Sequence, residues 1–341
     1  MRLFVAGANY RAGAAGWPVE HRFRRAGRNT GNLLVGHGVR RQFRNAEFGG
    51  LLATPPERIR ERFDGVAIAA TNFLHRGFDL AAQAAAIEAV DLPCVVVGLG
   101  AQANGGERIA PLLPAGTVRF VEAVAERTRV IGVRGGYTAS VLDDLGVTNV
   151  EVTGCPSFYT NLSAPLRLRK KRFADMRRIA VNGTANVVGH SFDAEAKAEV
   201  ERALFRFAAA ANRPYVLQSE LPEMLYLEEP GPGRTEALAP SARRLGYRGA
   251  DEYAAALGRI GRVFFDVGEW LDFLGGCDLV VGTRLHGAVA ALLRGVPAIV
   301  LYHDARTREL CEFRHPIPAS SQSRMERSHG SQPTSRAGSE K

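Results

Sequence analysis

The sequence predicts an α/β protein of two domains, each with a parallel β-sheet covered by helices on both faces, and a cleft between the domains. Short apolar and β-branched runs alternate with helical patterns nearly from end to end, as in parallel sheets wound with helices. The length of 341 residues is enough for two cores of roughly 150 residues each. Ligands of such sheets bind beyond the carboxyl ends of the strands, so we expect the functional residues there.

The first half of the chain contains five candidate strands, each a short apolar run that ends at a glycine or a polar residue. These strands are predicted at 3–6, 66–70, 94–98, 130–133 and 150–153. Helical patterns fall between them, at 31–43, 78–90, 117–128 and 137–145. The alternation predicts one doubly wound sheet.

The second half repeats this alternation. Its candidate strands are at 179–181, 215–217, 263–265, 279–281 and 298–301. A long helix is predicted at 193–211, because its apolar positions share one face and Asp193 is suited to cap its first turn. A compact alanine-rich helix is predicted at 286–293, with Gly295 as its stop signal.

These patterns place an N-terminal domain at 1–160 and a C-terminal domain at 177–313, joined by a linker at 161–176. The linker interrupts the alternation with the basic run 167–172. From 314 to 341 the chain is rich in Ser, Pro and Gly and poor in apolar residues. Since such a composition cannot bury a core, we expect a disordered tail there.

The net charge of +9 raises the question of nucleic-acid binding. Only four of the 44 basic residues are lysines, and most of the arginines are spread along the chain. Because no recognisable nucleic-acid module accompanies them, the sequence does not favour a nucleic-acid partner. A small acidic substrate or an anionic glycan accounts for a basic cleft equally well.

The sequence predicts a cytoplasmic protein without a transmembrane segment. No apolar stretch approaches the ~20 residues that cross a bilayer, and the N-terminal apolar run is too short for a secretory signal. Association with the inner face of the membrane stays open. The cysteines are widely spaced without a metal-ligand pattern, and we expect them to be reduced and buried in the core. They are Cys94, Cys155, Cys277 and Cys311.

The turn Thr283-Arg-Leu-His-Gly287 is the strongest candidate for chemistry. It follows a buried strand and opens a helix, so main-chain N–H groups and the positive helix end meet there. The planar fork of Arg284 suits a phosphate or a carboxylate, and His286 can transfer a proton near neutral pH. Leu285, between them, is expected to contact substrate. The alternative is a structural ion pair for Arg284 and a capping role for His286.

A second polar turn follows the last predicted strand, at the same edge of the second sheet. His303, Asp304 and Arg306 are candidates for substrate binding there, with Arg306 as an anion ligand. Asp304 is equally suited to cap the next helix, at its positive end. Arg308 and Glu309 are expected on a solvated face.

The strand ends of the first half supply further candidates. Gly98-Leu-Gly100-Ala-Gln102 follows one strand, and Arg134 follows the next. Glycines at a strand end let a ligand approach the backbone closely, so Gly100 and Gln102 are candidate binding residues. The Gly-x-Gly pair lacks the third glycine of a dinucleotide fingerprint. Arg134 is expected to face the cleft, with a structural ion pair as the equal alternative.

Three amides complete the candidate set. Asn32 lies in a polar turn that opens the first long helix, where it either lines the cleft or caps the helix. Asn72 and Gln218 each follow a predicted strand and are therefore cleft candidates.

Several of these segments closely resemble the polysaccharide pyruvyltransferase family. The resemblance rests on Thr283-Arg-Leu-His-Gly-Ala-Val-Ala-Ala-Leu-Leu-Arg-Gly-Val-Pro, His303-Asp-Ala-Arg-Thr-Arg-Glu-Leu, Gly98-Leu-Gly-Ala-Gln, Gly132-Val-Arg-Gly-Gly-Tyr-Thr, Val152-Thr-Gly-Cys-Pro-Ser and Thr30-Gly-Asn-Leu-Leu. It covers about residues 1–313. It implies two Rossmann-like domains in a GT-B-like arrangement, and transfer of a pyruvyl group from phosphoenolpyruvate to sugar hydroxyls as a cyclic ketal.

The resemblance also implies roles and partners. Arg284 matches the motif arginine, Arg134 is its expected partner across the cleft, and His286 is the expected proton-transfer group. The expected partners are phosphoenolpyruvate as donor substrate and a glycan or lipid-linked saccharide as acceptor. No further cofactor and no metal are predicted. Two alternatives stay open: a glycosyltransferase that uses a nucleotide sugar, and an inactive family member that binds a glycan.

Overall fold

A computed structural model of the chain describes residues 1–7, 9–43, 45–104, 107–161, 166–184 and 191–312. The predicted tail at 314–341 lies outside the described residues. Within the described ranges, no helix is long and apolar enough to span a bilayer.

Two parallel β-sheets form the framework, which confirms the predicted α/β class. The first sheet contains β1 (Leu3–Ala6), β2 (Ala46–Gly49), β3 (Gly65–Ala69), β4 (Cys94–Leu99), β5 (Ile131–Val133) and β6 (Val150–Val152). The second contains β7 (Ile179–Asn182), β8 (Tyr215–Leu217), β9 (Gly261–Val263), β10 (Leu279–Gly282) and β11 (Ala298–Val300). The strand orders are β2-β1-β3-β4-β5-β6 and β11-β10-β7-β8-β9.

Helices connect the strands along most of the described chain. The helices of the first half are α1 (Val19–Arg25), α2 (Gly31–Gln42), α3 (Pro56–Arg62), α4 (Ala81–Val90), α5 (Ala115–Arg127) and α6 (Gly136–Asp144). Those of the second half are α7 (Ala194–Ala210), α8 (Leu221–Glu228), α9 (Pro232–Glu236), α10 (Ala239–Leu245), α11 (Ala250–Ile260), α12 (Val267–Gly275), α13 (Leu285–Leu293) and α14 (Ala305–Glu312). Asp193 caps α7 as predicted, since its carboxylate accepts hydrogen bonds from two main-chain N–H groups of the first turn.

Two strands differ from the sequence prediction. Strand β2 was not predicted, because its four residues, Ala-Glu-Phe-Gly, are a short, half-buried edge strand with no apolar run. Strand β9 ends at Val263, where the predicted strand begins. The next two residues, Phe264 and Phe265, leave the sheet and pack against the hydrophobic cluster around α12 and α13. Their apolar character reflects this packing and not strand pairing.

The hydrophobic cores do not follow chain order strictly. The first core packs helices against the first sheet, with Leu99 and Phe120 among its fully buried side chains. Phe23 of α1 and Leu34 of α2 come from the N-terminal part of the chain, yet they lie in the clusters of the second sheet. Conversely, Ala305 at the start of α14 joins the first core. The two halves of the molecule therefore exchange helices, and the predicted domain boundaries stay a prediction.

The cysteine prediction is wrong at one position. Cys94, Cys155 and Cys277 are buried as expected, but Cys311 is exposed. Cys311 lies near the end of α14.

Candidate active site

The candidate site lies at the topological switch of the second sheet, between β7 and β10. The chain order reverses at this point of the sheet, which opens a crevice beyond the carboxyl ends of the two strands. Asn182 ends β7, and Thr283 and Arg284 follow β10. Gly282 allows the close approach of the two strand ends, because a Cβ atom there would lie 2.0 Å from the main-chain oxygen of Asn182.

Arg284 is held by a buried carboxylate. Its Nη2 donates to Oε1 of Glu220 at 3.1 Å, and the Glu220 side chain is fully buried. Burial opposes ionisation of Glu220, but the Arg284 charge and hydrogen bonds from nearby side-chain and main-chain donors bring the pKa of its carboxyl below the usual value. Glu220 therefore stays ionised and fixes one end of the guanidinium.

His286 lies in the first turn of α13 and is only 7% exposed. Its Nε2 is 3.7 Å from Sγ of Cys155, which in turn accepts a hydrogen bond from Oγ of Ser157 at 3.1 Å. Burial, followed by the positive charges of Arg134 and two further arginines, lowers the pKa of His286 to about 3. The imidazole is therefore neutral at neutral pH.

Arg134 enters the same site from the first sheet. It follows β5 and is 1% exposed; its Nε donates to the carbonyl of Gly98 at 2.8 Å and its Nη1 to Oδ1 of Asn72 at 2.9 Å. Burial lowers the pKa of its guanidinium. No carboxylate pairs with Arg134 among the described residues, so the predicted alternative of a structural ion pair does not describe its environment.

Gly100 and Gln102 support Arg134 in different ways. A Cβ atom at Gly100 would lie 3.0 Å from Cδ of Arg134 and 3.1 Å from Oδ1 of Asn72. A side chain at position 100 would therefore make tight contacts with Arg134 and Asn72. Oε1 of Gln102 accepts a longer hydrogen bond, of 3.4 Å, from the Asn72 amide. Both residues position the arginine and its amide partner at the end of the strand.

The turn after β11 adds His303, Asp304 and Arg306. Asp304 is fully buried and caps α14, with Oδ1 accepting from the main-chain N–H of Thr307 at 2.7 Å. Its Oδ2 lies 3.2 Å from Nη2 of Arg306 and 3.8 Å from Nε2 of His303. The capping alternative for Asp304 is thus realised, and the same carboxylate also orients two candidate ligands. Burial is the main cause that lowers the pKa of His303 to about 4.

Four buried nitrogens at this site lack a partner among the described residues. They are Nη2 of Arg134, Nε of Arg284, Nδ1 of His303 and Nε of Arg306, which are four of the eight unpaired buried side-chain atoms in the described chain. We call these four residues the donor cluster. Each unpaired buried polar group costs about 1–3 kcal/mol, and a ligand with several acceptor atoms can remove that cost. Arg134 follows a strand of the first sheet and the other three members belong to the second half, so the cluster brings residues of both halves together.

The chain matches a known protein family. No curated protein sequence matches the chain. The family model for polysaccharide pyruvyl transferase matches residues 29–305, which is most of the chain. The chain belongs to the polysaccharide pyruvyl transferase family. A solved structure described as "S. aureus MnaA-UDP co-structure" is 13% identical, with a TM-score of 0.46, and the match covers 91% of this chain and 81% of that chain.

Membership of the polysaccharide pyruvyl transferase family makes the chain a transferase that acts on a polysaccharide. The matched region contains Arg134, Arg284, His286 and His303 and ends just before Arg306. The last member of the donor cluster therefore lies outside the matched region and is assigned to the site by structure alone.

Three predicted site residues play other parts in the structure. The amide of Asn32 donates to the carbonyl of Ala26 at 3.1 Å and so holds the turn before α2. Leu285 is 7% exposed and packs in the hydrophobic cluster of the second sheet. Gln218 donates through Nε2 to Oδ1 of Asn182 at 2.7 Å, which fixes the end of β7. Substrate contact by these residues stays a prediction.

The prediction for Glu309 is wrong, because this residue is 3% exposed instead of solvated. Its carboxylate accepts hydrogen bonds from the main-chain N–H and the hydroxyl of Thr138, each at 2.9 Å. Burial raises the pKa of Glu309 to about 7. Glu309 lies four residues after Ala305, on the face of α14 that packs on the first core. Arg308 is exposed and paired with Glu312, as expected of a solvated face.

A second layer of buried charge was also missed. Glu201 is 4% exposed and accepts a hydrogen bond from the hydroxyl of Thr283 at 2.6 Å. Lys197, one turn earlier on α7, is 4% exposed, and burial lowers its pKa to about 8. Both are on a helix whose surface was expected to be polar, so no sequence signal separated them from solvated residues. Within the described part of the chain, no group of His, Cys, Asp and Glu is arranged to hold a metal ion.

Proposed function

We propose that the chain transfers the pyruvyl group of phosphoenolpyruvate to two hydroxyls of one saccharide, forming a cyclic ketal. The donor cluster supports this most, because phosphoenolpyruvate carries a phosphate and a carboxylate on one small molecule. Unpaired donors on three buried arginines suit two anionic groups better than a neutral sugar. Membership of the polysaccharide pyruvyl transferase family is in keeping with this donor.

The chemistry requires two proton movements. One proton adds to the methylene carbon of phosphoenolpyruvate, and the neighbouring carbon becomes an oxocarbenium-like centre that a sugar hydroxyl attacks. The bond from that carbon to the phosphate oxygen breaks, and a second hydroxyl closes the ring. The two hydroxyl protons end on the new methyl group and on the departing phosphate, so no other reactant is needed.

In this proposal, His286 accepts and returns these protons. Its pKa of about 3 in the free protein keeps the imidazole neutral, so it can accept a proton from an attacking hydroxyl. An anion bound to Arg134, Arg284 and Arg306 offsets the charges that hold this pKa down. The pKa of His286 is then higher than in the free protein, so the imidazole accepts and returns a proton more readily. Because Nε2 approaches Cys155, Nδ1 is the nitrogen left for this exchange.

The acceptor is proposed to enter beside His303. A cavity of about 190 Å³ lies there, bordered by Phe192, Lys197, Thr283 and Tyr302 among others. Phe192 is 45% exposed and Tyr302 54% exposed, and their rings meet edge to face at 6.3 Å. An aromatic face attracts partly positive C–H groups, so the apolar face of a sugar ring can pack on this pair.

The decisive experiment measures phosphate release from phosphoenolpyruvate with a panel of saccharides that offer neighbouring hydroxyls. Wild-type protein should release phosphate with at least one acceptor, and mass spectrometry should detect the ketal. His286→Gln should reduce release by at least 100-fold, roughly the contribution of one acid–base group. Arg58→Gln, an exposed arginine on α3, serves as the control and should leave the rate unchanged.

A thermal-shift comparison gives an independent readout, because a ligand that binds the folded state raises the melting temperature. Phosphoenolpyruvate should stabilise the wild-type protein, and Arg284→Lys should lose most of that shift. Stabilisation by nucleotide sugars in place of phosphoenolpyruvate, with no phosphate release, would overturn the proposal in favour of a glycosyltransferase.

A further inference from the structure

An irregular stretch of the second half presents apolar side chains to solvent. We call residues 166–173, Leu-Arg-Leu-Arg-Lys-Lys-Arg-Phe, the basic apolar segment. All eight residues are exposed. Leu166 is 53% exposed, Leu168 41% and Phe173 70%. Scattered surface leucines are ordinary, but three large apolar residues within eight positions, separated only by cations, indicate a contact surface.

Two of the cations fix this segment to the body of the protein. Arg169 donates through Nη2 to the carbonyl of Gly275 at 2.6 Å, and its main-chain N–H donates to the carbonyl of Gly295 at 2.8 Å. Nζ of Lys171 lies 2.6 Å from Oδ1 of Asp278. The side chains that anchor the segment are thus cations. The leucines and Phe173 stay exposed on a segment that is already held in place.

The surrounding surface is rich in arginine. The basic apolar segment lies against the amino ends of the second sheet, since its anchors precede β10 and β11. Arginines also stand at the amino ends of four of the five strands of this sheet: Arg177 and Arg178 before β7, Arg213 before β8, Arg259 before β9 and Arg294 before β11. The guanidinium of Arg213 lies 4.0 Å over the ring of Phe207, which is itself 37% exposed.

The few nearby carboxylates leave much of this charge uncompensated. Residues 166–178 contain seven basic residues and one acidic residue, Asp175. Asp175 pairs with Arg172, Asp278 with Lys171 and Asp272 with Arg294. Within the described residues, Arg167 and Lys170 have no carboxylate partner. The face is therefore strongly positive and carries exposed apolar groups.

We propose that this face docks on the surface of an anionic lipid bilayer. Cations attract the negative headgroups, and exposed leucine and phenylalanine side chains enter the boundary between headgroups and acyl chains. The amino ends of the strands are opposite the candidate active site, and a four-residue strand spans about 13 Å. Docking through this face therefore leaves the cleft open to a saccharide.

The apolar residues favour a bilayer over a nucleic acid. Phosphate backbones are bound by arginine and lysine with polar side chains, and bases stack on aromatic rings in a groove. Leu166 and Leu168 contribute to neither kind of contact, whereas an interfacial lipid site uses both cations and aliphatic side chains. The inference is independent of the donor and of the reaction proposed above.

Flotation of the full chain with lipid vesicles tests this proposal. Vesicles of phosphatidylcholine with 30% phosphatidylglycerol should carry the protein, and phosphatidylcholine vesicles should carry little. The double variant Leu168→Ser/Phe173→Ser should weaken binding at least tenfold. Arg167→Glu/Lys170→Glu should weaken it more, since each basic residue at an anionic surface contributes roughly fivefold in affinity. Leu52→Ser and Arg58→Glu, both exposed in the first half of the chain, are the matched controls and should bind as the wild type.

Unchanged melting temperatures separate lost binding from lost folding, because all the substituted side chains are exposed. Failure of the wild-type protein to float with anionic vesicles overturns the proposal. So does equal binding by Leu168→Ser/Phe173→Ser together with displacement of the protein from vesicles by RNA, which would make the face a site for anionic polymers.

Discussion

In the proposed function, Arg284 is shared between the protein and an anionic ligand. One nitrogen is fixed by Glu220 at 3.1 Å, and Nε is buried without a partner among the described residues. The fixed end orients the guanidinium, so its free edge is preorganised for an anion. A lysine at this position would keep the positive charge beside Glu220. It would lose the planar guanidinium, which can donate to two oxygens of one anion.

We therefore expect Arg284→Lys to reduce kcat/KM for phosphoenolpyruvate about 10- to 100-fold, since a charged hydrogen bond contributes about 1.5–3 kcal/mol. The free energy of unfolding should change little, because Glu220 keeps a cation. Steady-state phosphate release and urea unfolding measure the two effects. The control Arg58→Lys should show neither, and an unchanged kcat/KM in Arg284→Lys would rule out an anion contact by this arginine.

His286 should couple binding to protonation. Its pKa of about 3 is set first by burial and then by three guanidinium charges, and a bound anion offsets those charges. The pKa of His286 in the complex therefore rises, and binding takes up protons wherever the pH lies between the free and the bound values. Within that window, affinity increases as the pH falls.

Calorimetry at pH 5, above the free pKa of about 3, in buffers of different ionisation enthalpy measures this uptake. Wild-type protein should take up a fraction of a proton on binding phosphoenolpyruvate, and His286→Gln should take up less. The matched control His21→Gln, an exposed histidine on α1, should behave as the wild type. Equal uptake by wild type and His286→Gln would place the titrating group elsewhere.

At the scale of elements, the junction of β7 with α13 depends on the absence of a side chain at Gly287. A Cβ atom there would lie 1.6 Å from Oδ1 of Asn182. That oxygen accepts from Gln218 at 2.7 Å, and Nδ2 of Asn182 donates to the carbonyl of Val216 at 2.8 Å. Helix α13, which carries His286, thus packs against the side-chain amide of Asn182, and this amide links β7 to β8.

We expect Gly287→Ala to displace Asn182 and to destabilise the protein by about 2 kcal/mol, the range for an overpacked core. Gly136→Ala is the matched control in the first turn of α6, because a Cβ atom there meets nothing within 4 Å. It should be neutral or slightly stabilising, since alanine has the higher helix propensity. Urea unfolding compares the two, and similar stabilities would show that the contact at Asn182 relaxes at little cost.

At the scale of the whole molecule, α14 joins the two halves. It is capped by Asp304 beside the donor cluster, and its Glu309 reaches Thr138 at the start of α6. The exchange of helices places the last helix of the described chain on the first core. The buried carboxylate of Glu309 therefore links the last helix of the described chain to the first half. Its pKa is raised to about 7.

Glu309 should make stability depend on pH. Its pKa is raised from 4.5 to about 7 in the folded state, so the folded protein binds more protons than the unfolded chain between these values. Its contribution is fully present below pH 4.5 and is lost as the pH rises to about 7. The free energy of unfolding of Glu309→Gln, compared with that of the wild type at the same pH, should increase by on the order of 3 kcal/mol from pH 5 to pH 8. Denaturant unfolding at both values tests this; Glu312→Gln, exposed on the same helix, should show no such trend.

Much of the fold follows from local patterns. Buried parallel strands consist of short apolar runs in any context, so β1, β3, β4, β7 and β10 could be placed within a residue or so at each end. An edge strand such as β2 needs no apolar run, because only one side of it is paired, and the sequence contained no signal for it. Phe264 and Phe265 could serve a strand or a helix contact equally well, and only packing decided between them.

The turn with Arg284 and His286 was predicted from the strand before it and the helix after it, which fix its backbone locally. The sequence by itself therefore determined the fold class, the main strands and the position of Arg284 and His286 on one strand-to-helix turn. Only the tertiary structure decided that Cys155 approaches His286, that Glu220 holds Arg284 and that Glu309 is buried. The physical reason is that burial and pairing are relations between segments far apart in the chain, and no single segment contains the information about its partner.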